Sequence, residues 1–422
     1  MRSLQKKYGL YFIIFLFSSS IIAISFFIIN FFTKGNTLNS IMLNSGAQLN
    51  DFFMHIGYAS SPWGTNIYEI STHACFPPLA YVFYGLLARL VGYKAESMSP
   101  YSHLFIENNL TIYTLYSAVC IVLLIYAVGL YLKKDSFITK VWFPIILILS
   151  YPFIFTSMQR GNSVLLVSIL LCIALVWKDD ESKIKQELSL ILIAICAGFK
   201  IYPALIGIIF LKEKRFTQSI RLIIYGVIFF FVPFIFWGGL DALKSFFNTI
   251  LFLSGEVHDC SIRGIVNYIS RALFQHQIDA ISIIVQQLFL ITMLTSFLFT
   301  KKKYLEVLFL SSIMTLYVSS SYMYTCVYLL IPLLTFFKES NDNMHVDFIG
   351  VILTILFIIT FSIFFIIDYV ILYIIITLLV SILGIYTLIE FFKDNKDLIS
   401  NKFKVFFSKF SKSWNNKKHL YE

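Results

Sequence analysis

The sequence predicts an all-α integral membrane protein, and its composition and hydropathy are the observations that predict it. Hydrophobic residues make up 58% of the 422-residue chain and charged residues only 13%. The mean hydropathy is +0.80. A soluble globular chain is about one quarter charged, so these few charges could not cover a soluble core of this size. Lipid must therefore cover much of the surface.

Candidate membrane spans follow one another along nearly the whole chain. A helix needs about 20 apolar residues to cross the hydrocarbon core of a bilayer. Apolar stretches of roughly that length lie near 8–32, 77–93, 109–132, 140–158, 162–178, 187–211, 219–238, 278–300, 304–320, 322–338, 347–367 and 369–392. We predict about 10–12 crossings in one membrane domain, residues 1–392, with outer loops near 33–76 and 239–277. Spans 77–93 and 140–158 are short and contain prolines, so the topology near 133–160 stays open.

Basic residues indicate the orientation of the chain. The net charge is +10, and Lys and Arg concentrate at both termini and in the short segments 212–215 and 301–303. Because cytoplasmic loops are enriched in Lys and Arg, we expect both termini in the cytoplasm and a plasma-membrane location. The tail 393–422 is predicted to be a basic segment on the inner leaflet. The charge thus reports topology and no nucleic-acid partner. One stretch disagrees, because this count places Lys133, Lys134 and Lys140 outside and the turn at Arg160 inside.

The first outer loop contains a short segment, residues 51–58, with helical spacing. In a helix, Asp51, His55 and Tyr58 would share one face at i, i+4 and i+7. This predicts a short helix along the membrane surface that presents a carboxylate to a site. The alternative is an Asp that caps the N-terminus of a loop helix. A metal site is not predicted, because a third ligand at metal spacing is absent.

Ionisable side chains within or beside apolar spans are functional candidates, because their burial in a membrane is costly. Arg160 lies in a turn between two spans, where it would anchor at headgroups or bind a phosphate. Lys200 lies within a span with no flanking acid and is followed by Pro203, which interrupts helical hydrogen bonds. A lysine in this position is expected to face an aqueous or anionic cavity.

Two further polar segments complete the candidates. The second outer loop contains His258, Ser261 and Arg263, and a serine-rich segment near 319–325 places Tyr322 and Tyr324 near the outer surface. An interfacial aromatic belt is the alternative explanation of these tyrosines. Cys75 and Cys260 also fall in outer loops, but their spacing does not support a disulfide.

Taken in order, these segments resemble glycosyltransferase family 87, polyprenyl-phosphate-mannose-dependent mannosyltransferase-like membrane enzymes of the GT-C superfamily. The resemblance covers about residues 8 to 338. Its motifs are Asp51, Pro77-Pro78, Arg160-Gly161-Asn162, Lys200-Ile201-Tyr202-Pro203 with the basic 212–215 cluster, His258 to Gly264, and Ser321 to Pro332. The chain departs from the family pattern in two places. It has tyrosines where a late histidine is common, and it keeps only Ser261 and Gly264 of an Asn-Gln-Ser-x-x-Gly motif.

The resemblance implies a GT-C-type bundle that transfers mannose, another hexose or a pentose from a polyprenyl-phosphate donor. The acceptor would be a hydroxyl of a glycolipid or glycan at the outer face. Asp51 is the expected general base in an inverting single displacement. Arg263 is the first expected ligand of the lipid phosphate, followed by Lys200, His258, Ser261 and Arg160. His55, Tyr58, Tyr322 and Tyr324 are the expected acceptor or sugar contacts. Neither a cofactor nor a metal is predicted, and the chain has no glycine-rich nucleotide loop.

Two other functions remain open from the sequence. An envelope polysaccharide polymerase also joins lipid-linked sugars, but would not need Asp51. A transporter or flippase would move a lipid-linked anion past Lys200. Transporters often show repeated halves and paired broken helices, and neither feature is visible in the sequence.

Overall fold

The computed structural model describes residues 9–37, 49–90, 92, 103–132, 141–319, 321–339, 346–362 and 369–396. Within these ranges every regular element is helical, which confirms the predicted fold class. The basic residues before position 9, Lys133, Lys134, Lys140 and the tail beyond 396 lie outside the described residues.

The α-helices are α1 (Leu10–Phe32), α2 (Asn50–Ala59), α3 (Ile67–Ile70), α4 (Pro78–Leu90), α5 (His103–Tyr131), α6 (Phe143–Ile148), α7 (Val164–Trp177), α8 (Lys183–Phe199), α9 (Ile208–Lys212), α10 (Phe216–Phe231), α11 (Leu240–Leu253), α12 (Ile262–Phe274), α13 (Asp279–Phe299), α14 (Lys303–Ser312), α15 (Leu330–Glu339), α16 (Phe348–Phe361) and α17 (Tyr369–Asp394). Short π- or 3₁₀-helical segments interrupt or extend them at Pro152–Met158, Tyr202–Gly207, Val232–Trp237, Ile313–Tyr317 and Met323–Leu329. The predicted short helices of the first outer loop are α2 and α3.

Five helical segments in the described part of the chain are long and apolar enough to cross a membrane. They are Leu10–Phe32, Asn109–Tyr131, Phe216–Trp237, Asp279–Phe299 and Tyr369–Asp394. Shorter apolar helices pack between them, and many large apolar side chains on the long helices remain exposed on the outside of the bundle. An exposed apolar surface of this kind is stable only against lipid. The chain is therefore a multi-pass membrane protein.

The bundle has two ends with different contents. We call one the loop end, which contains α2, α11 and the segment 254–261. The other is the basic end, where Asp179, in the turn after α7, contacts Lys303 at 3.2 Å and Arg215 at 2.5 Å. The basic segments 212–215 and 301–303 therefore meet at the same end, as the positive-inside pattern predicts.

The structure differs from the predicted crossing at 77–93. Helix α4 has 13 residues and packs along α2, with both of its ends at the loop end. At its start, the Trp237 indole donates to the Pro78 carbonyl at 3.3 Å, and at its end Arg89 donates to the Ser61 carbonyl at 3.2 Å. This helix does not cross.

The structure also divides the predicted span 187–211 into two crossings. Helix α8 ends where Lys200 adopts an extended conformation (φ −146°, ψ 134°), and Pro203 starts the 3₁₀ segment that follows. Lys200 lies at the loop end, whereas Lys212 pairs with Glu306 at 2.8 Å at the basic end. Because Pro203 has no N–H to donate to the Phe199 carbonyl four residues earlier, the α-helical hydrogen bonds cannot continue through this point.

These two differences compensate each other. One predicted crossing is lost and another becomes two, so the turns between these two points change sides and the later ones do not. The Arg160 turn moves to the loop end, beside Asp51. The turn at Asp179 moves to the basic end, beside Lys303. The misfit that the sequence showed around Arg160 therefore came from these two misplaced boundaries.

Candidate active site

Helix α2 carries two of the candidate residues into the interior of the loop end. Its apolar residues Phe52, Phe53 and Ile56 are completely buried against the bundle. Asp51 lies in the first turn and His55 one turn later, and they are only 5% and 2% exposed. The predicted helix is confirmed, and its polar face points into the protein.

The Arg-Gly-Asn turn brings a cation to this carboxylate. Gly161 has a φ of +68°, and a Cβ at this position would lie 2.5 Å from the Cβ of Phe52. Only glycine tolerates both this conformation and this close approach. The Leu49 N–H donates to the Gln159 carbonyl at 2.6 Å, which ties the start of α2 to the same turn. The glycine of the motif therefore allows α2 and the turn to touch.

Both oxygens of the Asp51 carboxylate are engaged by this turn. Arg160 donates from Nη2 to Oδ1 at 2.6 Å, and Asn162 donates from Nδ2 to Oδ2 at 2.9 Å. The Asn162 side chain also accepts from the N–H of Val164, the first residue of α7, at 3.1 Å. Asn162 is thus held by a helix end, and Asp51 is held in one orientation by two partners.

Lys200 reaches the same region from the break between two crossings. It is 6% exposed, and its ammonium lies 3.5 Å from the centre of the Phe76 ring and 5.9 Å from that of Tyr324. Among the described residues, no carboxylate lies within ion-pair distance of it. Cation–π contacts with two aromatic rings thus take the place that an acid usually occupies beside a buried lysine.

A cavity of about 660 Å³ joins these groups. This volume lies in the range typical of small-molecule sites. Its polar lining combines one buried carboxylate, two cations, a carboxylate near the rim and several imidazole, amide and phenol groups; these are Asp51, His55, His73, Arg160, Asn162, Lys200, Tyr202, Glu256, His258, Gln286, Tyr317, Tyr322 and Tyr324. A site of this composition can bind an anion and accept a proton.

One comparison with known proteins identifies the family of the chain. The model of glycosyltransferase family 87 matches residues 76–321, which is more than half of the chain. The chain belongs to glycosyltransferase family 87. It is therefore a membrane glycosyltransferase. No curated protein and no solved structure matches it, so the GT-C-type arrangement stays a prediction. The range of the chain that matches the family 87 model contains Arg160 and Lys200, whereas Asp51 precedes that range.

His55 contributes a buried imidazole to the cavity of this glycosyltransferase. Burial, together with the positive charges of Lys200 and Arg160, holds the pKa of His55 well below 6.5. Its Nδ1 lies 3.3 Å from the Tyr81 hydroxyl, and its ring stacks on Phe76 with 4.0 Å between the ring centres. A neutral imidazole can exchange hydrogen bonds with a sugar without adding charge to the site.

The second outer loop contributes less to the cavity than the sequence predicts. Ser261 accepts from the Gly264 N–H at 3.0 Å and so caps α12. A Cβ at Gly264 would lie 2.0 Å from the His258 carbonyl oxygen, so glycine is needed for the loop to fold over this helix. Neither Ser261 nor Arg263 lines the cavity, whereas His258 does. The Ser-x-x-Gly part of the motif therefore shapes the loop.

Of the three predicted tyrosines, two line the cavity and one does not. Tyr322 and Tyr324 line the cavity, with their ring centres 5.7 Å apart, and the Arg160 guanidinium lies 5.6 Å from the Tyr322 ring. Tyr58 lies outside the lining, where its hydroxyl accepts from Ser71 at 3.1 Å. Tyr322 and Tyr324 are thus at the site, and Tyr58 is not.

Several lining residues were not singled out from the sequence. Asn162 appears in the sequence analysis only as part of a motif, and Glu256 is not a candidate there. Gln286 belongs to no motif. Its amide nevertheless donates to the Tyr317 carbonyl at 2.5 Å and to the Ser319 hydroxyl at 3.2 Å. A polar glutamine inside an otherwise apolar span was the available signal for it.

The two cysteines of the predicted outer loops are not joined to each other. Cys75 and Cys260 are free thiols, and burial raises the pKa of Cys75. Among the described residues, no group of three His, Cys, Asp or Glu side chains is arranged to hold a metal ion.

Proposed function

We propose that this family 87 glycosyltransferase transfers a sugar from a polyprenyl-phosphate donor to an acceptor hydroxyl, with Asp51 as general base. The observation that carries the proposal is the cavity itself, which brings one buried carboxylate together with two cations. In the reaction, the acceptor oxygen attacks the anomeric carbon and its proton passes to Asp51. The bond from that carbon to the phosphate oxygen breaks, and the lipid phosphate leaves. A single displacement inverts the anomeric configuration.

Asp51 is suited to the base role by its position. Arg160 and Asn162 hold one orientation of the carboxylate, while the cavity leaves it accessible to a substrate. Each carboxylate oxygen has two acceptor sites, so an engaged oxygen can still accept a hydroxyl proton. A positioned base of this kind contributes about 10²- to 10⁴-fold to a rate.

The two cations are suited to the leaving group. Negative charge grows on the phosphate as the sugar departs, and cations fixed in a partly dry site stabilise it. Lys200 has no carboxylate partner in the described part of the chain, so a phosphate would supply one. Arg160 can contact phosphate in a fork geometry. We therefore assign the phosphate to Lys200 and Arg160, with His258 near the rim, and no longer to Arg263 and Ser261.

The remaining groups fit a sugar or an acceptor. His55, Tyr322 and Tyr324 present rings and polar atoms to the cavity, and hydroxyl-rich sugars bind such surfaces through stacking and hydrogen bonds. We further propose that the loop end faces outward from the plasma membrane, because the opposite end collects the Lys and Arg clusters. The donor and acceptor would then meet at the outer leaflet.

The test is a transfer assay with purified protein in lipid. Radiolabelled polyprenyl-phosphate mannose is the donor and a membrane extract is the acceptor. Wild type is expected to transfer label, and Asp51→Asn to lose roughly 10²-fold or more of the rate. The matched control is Asp241→Asn, since the Asp241 side chain on α11 is 83% exposed and lies outside the cavity.

The outcomes separate the parts of the proposal. Transfer that survives Asp51→Asn would remove the assignment of the base. Absence of transfer by wild type with mannose, glucose, galactose and arabinose donors would remove the donor class. A product that retains the anomeric configuration would exclude the single displacement.

A further inference from the structure

We propose that Phe76 is a positioning residue, whose ring holds the Lys200 ammonium in the cavity so that its charge stays available to the donor phosphate. This inference rests on the proposed function for the identity of the anion. It adds a residue that neither the family match nor the sequence motifs assign a role. Phe76 precedes the Pro77-Pro78 pair, which the sequence marks only as the start of a helix.

The ring of Phe76 lies between two other groups. The Lys200 ammonium is 3.5 Å from its centre, and the His55 imidazole stacks with 4.0 Å between ring centres at an interplanar angle of 36°. Phe76 is only 5% exposed. An ammonium over the face of an aromatic ring is attracted by its quadrupole, most strongly where water is excluded.

The backbone of Phe76 is fixed on both sides. Its N–H donates to the Tyr81 hydroxyl at 3.4 Å, and its carbonyl accepts from the Tyr68 hydroxyl at 2.9 Å. Pro77 and Pro78 follow directly and restrict the chain further. Tyr68 and Tyr81 are buried, so the ring that faces Lys200 is part of a rigid support.

The charges around Lys200 explain why a ring is used here. A carboxylate would stabilise a buried ammonium more strongly, but it would also compete with an incoming phosphate. The one buried carboxylate of the cavity, Asp51, is engaged by Arg160 and Asn162 instead. A ring offsets part of the cost of burial without neutralising the charge. Phe76 thus keeps Lys200 buried, oriented and uncompensated.

The first experiment measures binding without catalysis. Farnesyl phosphate is the probe and farnesol is its uncharged counterpart, each titrated onto the purified full chain in detergent. Phe76→Leu keeps a similar volume without the ring, and we expect it to weaken binding of farnesyl phosphate by about tenfold or more while leaving farnesol unchanged. Phe76→Tyr is expected to bind within about threefold of wild type. Phe153→Leu is the control, because Phe153 is buried outside the cavity.

The second experiment locates the ammonium directly. Lysines are dimethylated with ¹³C-formaldehyde, and the Lys200 resonance is identified by its absence in Lys200→Arg. Methyl groups over a ring face are shifted upfield, so the Lys200 signal should be upfield in wild type and return to the ordinary lysine position in Phe76→Leu. An ordinary position in wild type would overturn the inference.

The two experiments distinguish this inference from the proposed function. Preferential binding of farnesyl phosphate that is unaffected by Phe76→Leu overturns the role of Phe76 and leaves the donor class standing. Equal binding of both probes by wild type contradicts the donor class, and the methyl shift alone then decides whether Phe76 positions Lys200.

Discussion

The two ends of the bundle treat a buried lysine in opposite ways. At the basic end, Lys178 is 4% exposed and contacts Asp179 at 3.1 Å and Glu213 at 2.5 Å. At the loop end, Lys200 is buried to nearly the same extent, but it faces aromatic rings and has no carboxylate partner among the described residues. Burial alone therefore does not mark a functional lysine. The absence of a compensating acid beside a cavity does.

The acids show the same contrast. Although burial opposes it, the charge and hydrogen bond of Lys178, with Lys303 and Arg215, lower the pKa of Asp179 to about 2. At the basic end, Asp179 contacts Lys178, Arg215 and Lys303 beside a cavity of only about 180 Å³. At the loop end, a single buried carboxylate faces a cavity of about 660 Å³. One end is arranged for cohesion and the other for binding.

The largest expected effect is an all-or-none difference in accessibility between the two ends. Asp241 and Lys185 have exposed side chains at the loop end and the basic end, respectively. In sealed right-side-out vesicles, Asp241→Cys should react with a membrane-impermeant maleimide, and Lys185→Cys should react only after permeabilisation. The parent chain is labelled in parallel, because Cys75 lines the cavity. Reaction of both variants from the outside would restore the topology that the sequence predicted and contradict the two ends described here.

That difference also shows what the sequence could and could not predict. Composition and apolar run length predicted the helical membrane fold, because the bilayer demands long apolar helices. Composition and run length predicted the wrong number of crossings at α4 and at Lys200, and the reason is the same in both places. Apolar content does not distinguish a helix that crosses from one that lies against another helix, and proline in a span gives no indication of which way the chain continues.

For the site, the residue types were predictable and their contacts were not. The motifs identified Asp51, Arg160 and Lys200, because ionisable groups are rare in membrane spans. The pairing of Asp51 with Arg160 was hidden by the wrong parity of the spans between them. Ser261 and Gly264 matched a motif for structural reasons, as a helix cap and a close approach. A short motif carries no information on which of its residues support the loop.

The second prediction compares the two lysines through stability. Lys178→Met leaves Asp179 and Glu213 without a buried partner, and we expect a loss of roughly 1–3 kcal/mol in the free energy of unfolding. This loss is smaller than it would be if the two carboxylates had no cation left, because Arg215 still contacts both of them. Lys200→Met removes a charge that no acid neutralises, so stability should be unchanged or higher while binding of farnesyl phosphate is lost. Thermal unfolding in detergent measures the change in stability, and titration with farnesyl phosphate measures the change in binding.

A reversal of that order would break the comparison. If Lys200→Met destabilised the protein more than Lys178→Met, Lys200 would be a structural residue and the contrast between the two ends would not indicate function. Lys185→Met is the control, because its ion pair with Asp180 is solvent-exposed and exposed pairs contribute little.

The smallest expected effect concerns the pH dependence of stability at the loop end. Burial, then the charges of Lys200 and Arg160, hold the pKa of His55 well below its ordinary value of 6.5. The unfolded chain therefore binds a proton at this residue between 6.5 and the lower folded pKa, whereas the folded protein does not. Stability is full above pH 6.5 and falls as the pH drops below it.

Between pH 7 and pH 5.5 the loss from this one group amounts to about 1 kcal/mol. His55→Gln removes the titrating group, so its midpoint of thermal unfolding should fall less than that of wild type over the same interval. His276→Gln, which replaces an exposed histidine, should follow wild type. Parallel decreases in all three proteins would show that His55 takes up its proton in the folded protein as it does in the unfolded chain, and is therefore charged at pH 5.5. The imidazole would then act as a third cation of the cavity, and the loop end would bind its anion with His55 as well as with Lys200 and Arg160.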